Sequence, residues 1–307
     1  MGIGQVGRDV GLAFRAIARM PALSAVVIVS LAAGIGVNTV VFSWLRALVF
    51  QPLPGVANSS EFHLVEPRAE TGSYPGMSWL EYRDIGERLP AFRDLVAFRM
   101  APLTLGERGR TERTYGELVS GNYFTGLGMR PALGRLIAPD DTARAGGAPV
   151  VVISDDCWRS RFGSARDAVG RILRVNDRPL TIIGVTPPGF QGTVVGLNFD
   201  MWVPATMAPV LLGGSRELED RGQRGYSVMG RLAPGATPAQ ARSEFAAAMR
   251  DLARAYPDSN ATISGEVLPF WQSPRGPQRM FASALTVLQA VMLLLLVAMC
   301  GNTANLV

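Results

Sequence analysis

The chain has 307 residues, 30 Lys and Arg side chains against 25 acidic ones, a formal charge of +5 and 48% hydrophobic residues. There is no lysine, which excludes a phosphate-binding P-loop of the GxxxxGKS/T kind and a Schiff-base amine, so the chain is not itself a standard P-loop ATPase. One histidine and two cysteines give no cluster with metal-ligand spacing, and no GxSxG elbow occurs, so no catalytic set, metal or cofactor is expected.

In chain order, Val6, Val10, Phe14 and Ile17 recur at helical spacing, with Arg8, Arg15 and Arg19 largely off that line. Residues 1–20 therefore read as a cytoplasmic amphipathic helix lying on the membrane surface. The alternative is a plain extension of the helix that follows. Between Arg19 and Arg46 lie 26 residues without a charge. As a helix they reach ~39 Å, more than the ~30 Å hydrocarbon core of a bilayer. Residues 21–49 are the first expected transmembrane helix. The run is longer than the ~7–15 residues of a signal-peptide core. Ala32 and Gly36 fall on one face and are the expected helix-packing residues. The plainer alternative is that glycine is simply frequent in membrane helices.

Arg8, Arg15 and Arg19 precede this helix, whereas Glu61, Glu66 and Glu70 follow it. The positive-inside rule then places residues 51–278 outside. The 28 residues after Arg279 are again uncharged, and 280–305 are the second expected span.

The segment between the spans is long enough for a sizeable core. Residues 59–66, 95–105, 113–119, 149–153, 172–175, 180–185, 199–203, 226–232 and 263–268 read as strands, with His63 exposed on an edge strand. Ser78 and Glu81 form a capping box before a helix near 78–89, and 121–127 read as a short helix. Ser154 caps a helix through Phe162. Asn176-Asp177 turns a hairpin, and Thr237-Pro238 opens a long helix to about Tyr256. The fold class is α+β: an extracytoplasmic domain with βαβ elements, flanked by two transmembrane helices. Asp140/Asp141 and Asp155/Asp156 read as solvated or capping pairs, Cys157 as a buried thiol, and Gly192 to Gly196 as a glycine loop without dinucleotide-fold context. The arginines at 108, 110, 113, 171, 174 and 178 read as solvated loops and hairpins, and no nucleic-acid partner is expected.

Five segments then carry a family resemblance: FRAIARMPALSAVVIVSLAAGIGVNTVVFSWLRALVFQPLP (14–54), VSGNYFTGLGMRPALGRLIAPDD (119–141), VVVISDDCWRSRFGSARDAVGRILRVNDRPLTIIGVTPPGF (150–190), MGRLAPGATPAQARSEFAAAMRDLARAYP (229–257) and GNTANLV (301–307). In these the chain resembles the FtsX-like ABC transporter permeases with a MacB-like periplasmic core domain, most of all the duplicated permeases of Acidobacteria. The resemblance implies an inner-membrane protein with a periplasmic domain of two lobes, a membrane-proximal one (about 59–110 and 225–270) and a distal one (about 115–220). It implies a truncated N-terminal portion of a longer permease. It also implies a cytoplasmic ABC ATPase as partner, together with a second permease half or a second copy and the lipid bilayer. The implied activity is ATP-driven mechanotransmission for export. A non-transporting sensor or assembly protein of the same fold is the alternative.

Overall fold

A computed structural model of the chain describes residues 21–47, 53–86, 88–106, 112–276 and 278–306. The expected amphipathic helix at 1–20 lies outside the described residues, as do Arg108 and Arg110. The chain divides into two compact units, the two terminal segments (1–48 with 280–307) and the segment between them (49–279).

The terminal unit holds α1 (Pro21–Leu45) and a second long helix (Gln278–Leu306). Within them, Ser24–Leu45 and Met280–Asn302, 22 and 23 residues, are long and apolar enough to cross a membrane. Large side chains such as Val26, Ile28, Val29, Leu294 and Val297 are exposed on them, as helices solvated by lipid require.

The middle unit begins with β1 (Phe62–Ala69), β2 (Met77–Ser78), α2 (Trp79–Ile85), β3 (Phe92–Leu105) and β4 (Glu112–Val119). A one-turn helix α3 (Tyr123–Gly126) follows, then β5 (Leu133–Gly134), β6 (Val150–Ile153), α4 (Asp155–Phe162), β7 (Ile172–Val175), β8 (Arg178–Val185), β9 (Met201–Pro204) and α5 (Ala208–Leu211). The unit ends with β10 (Arg224–Leu232), α6 (Pro238–Ala255), α7 (Pro257–Asn260) and β11 (Ile263–Pro269), and the long C-terminal helix is α8.

Local chemistry accounts for many of these boundaries. Ser78 and Glu81 close the capping box, with Glu81 N donating to Ser78 Oγ at 3.1 Å and Ser78 N to Glu81 Oε2 at 2.8 Å. The α2 helix ends at Ile85 rather than near 89. Thr237 accepts from Gln240 N, and Pro238 occupies the first turn of α6. Ser154 accepts from Cys157 N and opens α4. Asn176 and Asp177 take φ of 47° and 61°, the left-handed pair that a tight hairpin turn requires.

Nine of the described strands form one hydrogen-bonded path, β11-β1-β10-β3-β4-β9-β6-β8-β5, while β2 pairs with β10 and β7 with β3 and β8. Its first four members carry a recognisable topology. β1 is antiparallel to both β10 and β11, and β10 is antiparallel to β3. Two units, β1-α2-β3 and β10-α6-β11, therefore interleave in the order 4-1-3-2, the double split βαβ of ferredoxin-like folds. Residues 112–223 are inserted between the second and third of these strands. The long strand β3 serves both parts: Phe92–Phe98 pairs with β10, and Phe98–Leu105 pairs with β4. Inside the insertion β4 is parallel to β9 and β6 is parallel to β8.

His63 is not on an edge. Its strand is paired on both sides, His63 facing Gly230 of β10 and Pro269 of β11. Both partners come from more than 160 residues away, and local periodicity carries no sign of them.

Both faces of the sheet are covered. One core gathers Val65, Ala97, Val228 and the buried stripe of α6, namely Ala241, Phe245, Ala248, Met249 and Leu252. That spacing is one face of a 3.6-residue helix. The other core gathers Phe62, Val96, Phe98, Tyr123, Phe124, Phe190, Trp202 and Phe270. Full burial of each such side chain contributes about 1.5–3 kcal/mol.

Candidate functional site

In the terminal unit the less exposed residues of α1 are Ser24, Val27, Leu31, Gly34, Asn38, Val41 and Leu45. On α8 they are Ala282, Leu285, Gln289, Met292, Leu296 and Met299. Both sets step by alternating threes and fours, the seam of a left-handed helix pair. The pair is antiparallel, because Asn38 meets Gln289 and Met292 while Gly34 meets Leu296 and Met299.

Among the described residues the seam carries a polar rung at Asn38. Gln289 Nε2 donates to Asn38 Oδ1 at 2.8 Å, and Asn38 Nδ2 donates to the carbonyls of Met292 at 3.1 Å and Gly34 at 3.0 Å. In hydrocarbon such groups need partners, and interhelical hydrogen bonds of this type contribute about 0.6 kcal/mol on average and at most about 1.7. Gly34 is the glycine that permits close approach. A methyl there would lie 2.4 Å from Met299 Cε and 3.2 Å from Leu296 Cδ1. Gly36 meets nothing within 4 Å, and Ala32 is exposed beside it. In the sequence Asn38 figures only as an interruption of the apolar run. A polar amide inside a span is itself the signal that singles it out.

In the middle unit a cleft of about 550 Å³ opens among Trp79, Tyr82, Asn122, Thr142, Thr206 and Leu218. Tyr82, Ser120 and Asn122 are linked to one another there, whereas the buried Thr206 Oγ1 has no hydrogen-bond partner among the described residues. Tyr82 Oη lies 3.1 Å from both Leu95 O and Asn122 Oδ1, and Ser120 Oγ donates to Asn122 Oδ1 at 2.8 Å. Among the described residues, no group of three or more His, Cys, Asp or Glu is placed to hold a metal ion.

The residues singled out from sequence do not line this cleft, although Asp140 and Asp141 stand between its lining residues Pro139 and Thr142. Asp141 accepts from Arg135 at 2.6 and 2.9 Å and from Ala138 N at 2.9 Å. Partial burial raises its pKa, but these bonds outweigh that and hold it below the usual carboxylate range. Asp155 pairs with Arg159 one turn on. The Cys157 thiol is buried and pushed up to about 12, which makes it inert. Cys300 is exposed on α8. Arg171 pairs with Asp167, and Arg174 reaches Asp177 O.

The glycine loop finds its structural reason in a residue that nothing in the sequence marks out. Glu117 of β4 is fully buried, and among the described residues no arginine or histidine is a hydrogen-bond partner of it. It accepts from Thr193 N at 3.1 Å, Thr193 Oγ1 at 2.8 Å, Tyr123 Oη at 2.8 Å and Trp202 Nε1 at 2.7 Å. Burial raises its pKa, and the four donors oppose that rise. The loop is thereby tied to the insertion's core. A glutamate alternating with apolar residues in a strand gives no outward sign of this.

A family model described as the MacB-like periplasmic core domain matches residues 24–248. The macrolide export ATP-binding/permease protein MacB of Burkholderia cenocepacia is 36% identical over 162 residues, covering 48% of this chain and 23% of that protein. The probable syringafactin export ATP-binding/permease protein SyfD of Pseudomonas syringae pv. tomato is 29% identical over 101 residues, covering 33% of this chain and 15% of that protein. The chain thus matches less than a quarter of the length of these relatives. In fold it is similar to the periplasmic region of MacB from Actinobacillus actinomycetemcomitans, with a TM-score of 0.51 at 12% identity, over 69% of this chain and 90% of that one. By the extent of the family match the chain belongs to the family of the MacB-like periplasmic core domain.

Proposed function

We propose that this chain is the membrane-spanning permease component of an ABC-type exporter. A separate cytoplasmic ATPase hydrolyses ATP, and the movement passes through the two apolar helices to the domain between them. The observation that carries this reading is the extent of the family match. It begins at residue 24, inside the first apolar helix, and runs through the middle unit to 248. One family unit therefore includes both a membrane helix and the domain it would drive. Export is taken from the names of the Burkholderia and Pseudomonas relatives.

In the same reading residues 1–20 are cytoplasmic, 21–49 and 280–305 cross the inner membrane, and 51–278 are periplasmic. The parts at about 59–110 and 225–270 form the membrane-proximal lobe, and 115–220 the distal one. The exposed face at Ala32 and Gly36 is proposed to receive a further membrane helix, from a second permease half or a second copy. Kinship with the duplicated permeases of Acidobacteria belongs to this proposal, and finding a second copy of the 24–248 unit at the same locus would support it.

Reconstitution into vesicles with a candidate cytoplasmic ABC ATPase tests the function. ATP-dependent export that disappears when either component is omitted is the expected result, and ATP turnover indifferent to this chain overturns it. For the topology, a reporter fused after Arg19 is expected in the cytoplasm and one near Gly214 in the periplasm.

A further inference from the structure

Both chain segments that connect the middle unit to the apolar helices are fastened to one strand. After α1, Leu53 and Val56 are buried in the second core, and Arg231 of β10 donates from Nη2 to Ala57 O at 2.6 Å. The same guanidinium reaches Gly126 O at 3.2 Å and lies over the Phe62 ring at 4.2 Å. Before α8, Phe270 is buried in that core, and Arg275 folds back onto the other end of β10. Arg275 Nη1 donates to Gly225 O at 3.0 Å; its Nη2 donates to Tyr226 O at 2.9 Å, Ser227 Oγ at 2.8 Å and Glu66 Oε1 at 3.1 Å. Gly76 leaves room for this group, since a methyl there would lie 2.4 Å from Arg275 Nη1.

Arg275 stands three residues before α8 begins. Its partner Glu66 is fully buried on β1, the strand beside β10. A charge-assisted bond to a buried carboxylate, with two backbone carbonyls held in the same fork, is among the stiffest attachments a side chain can make. A load applied along α8 reaches this attachment before any element of the sheet. A load leaving α1 meets the buried Leu53 and Val56 and then Arg231 at Ala57 O.

We propose that β10 is the strand through which the motion of both membrane helices is delivered to the outer domain, with Arg231 and Arg275 as the positioning residues that couple them. The proposal rests on the permease reading above.

The test uses the full chain in membranes with its cognate ATPase, in a Cys300→Ser background. A fluorophore at Thr71→Cys reports ATP-dependent change in quenching by a lipid-headgroup quencher, and ATP hydrolysis is measured in parallel. Arg275→Met is expected to keep the hydrolysis rate but lose most of the quenching change per ATP. Glu66→Gln, which keeps an acceptor but removes the charge, and Arg275→Lys, which keeps the charge but removes the fork, are expected to fall between. A separate variant without the Thr71 label carries Arg275→Cys with Ser227→Cys. There a short bifunctional thiol cross-linker is expected to restore ATP-dependent export over the uncross-linked form. A merely structural role would lower the melting temperature without changing the signal per ATP, and the cross-link would not rescue export. Full signal in Arg275→Met, or loss that follows melting temperature across the variants without rescue, overturns the assignment of β10 while leaving the permease reading intact. A wild-type chain with no ATP-dependent signal overturns the permease reading, and this assignment with it.

Discussion

In the ferredoxin-like part, Glu66 and Glu81 are fully buried, and each meets an arginine, Arg275 and Arg224 respectively. In the inserted part, Glu117 is equally buried and, among the described residues, meets the neutral donors of Tyr123, Thr193 and Trp202. Reach in sequence separates the two arrangements. Glu66 and Arg275 are 209 residues apart and Glu81 and Arg224 are 143 apart, whereas every partner of Glu117 lies within 85 residues. The arginine pairs stitch distant segments of the ferredoxin-like sheet together, and the neutral cluster tightens the insertion from within. A full charge is worth its desolvation where two remote segments must be held in one register, but its loss is correspondingly severe.

The largest expected effect comes from breaking one stitch. Arg224→Met leaves Glu81 buried with Asn260 and its own capping contacts, and is expected to cost about 3–5 kcal/mol, the range for an orphaned buried charge. Chemical denaturation of the full-length protein in detergent measures it, and a cost below about 1 kcal/mol would erase the contrast with the insertion. Trp202→Phe keeps an aromatic ring in the core but removes one donor from Glu117. The expected cost is about 1–3 kcal/mol in the same assay.

The contrast also has a pH signature. Burial raises the pKa of Glu117, so protonation of this group is more favourable in the folded than in the unfolded chain. That contribution is complete below the ordinary value of 4.5 and is lost as pH rises through the raised folded value. Asp141, held low by Arg135, works with the opposite sign, so the diagnostic quantity is a difference between two proteins. The melting curve of Glu117→Gln is expected to be flatter than wild type above about pH 4.5. Parallel curves would mean that Glu117 does not titrate in the folded chain over that range. The smallest effect is expected in the helix pair, where Asn38→Leu removes the polar rung at a cost of about 0.6 kcal/mol. Steric-trap unfolding in bilayers resolves a change of that size.

The same distinction between near and far explains what could be read from the sequence. The capping box at Ser78, the Thr237-Pro238 start, the Asn176-Asp177 turn, the burial of Cys157 and the two apolar helices are local, and each depends on residues within a few positions. The 4-1-3-2 strand order is not local. It needs β10 and β11 to return across an insertion of more than 100 residues, and His63 reads as an edge residue for that reason. Gly34 rather than Gly36 meets α8 because the seam is set by the phase of two helices together, whereas the small-residue spacing of one helix allows either face. Glu117 stays invisible because a strand glutamate looks solvated until its donors arrive from 123, 193 and 202.

The neighbouring positions of β3 and β10, with Phe98 opposite Ser227, have a further meaning for how such chains diversify. The backbone departs from the ferredoxin-like sheet on one strand and resumes on the strand beside it, so the whole excursion is topologically an oversized hairpin turn. Closing a turn of this sort costs only about (3/2)RT ln n, so doubling its length adds about 0.6 kcal/mol. The ferredoxin-like part can therefore stay unchanged while the excursion is lengthened, trimmed or exchanged, as a tool holder accepts different bits.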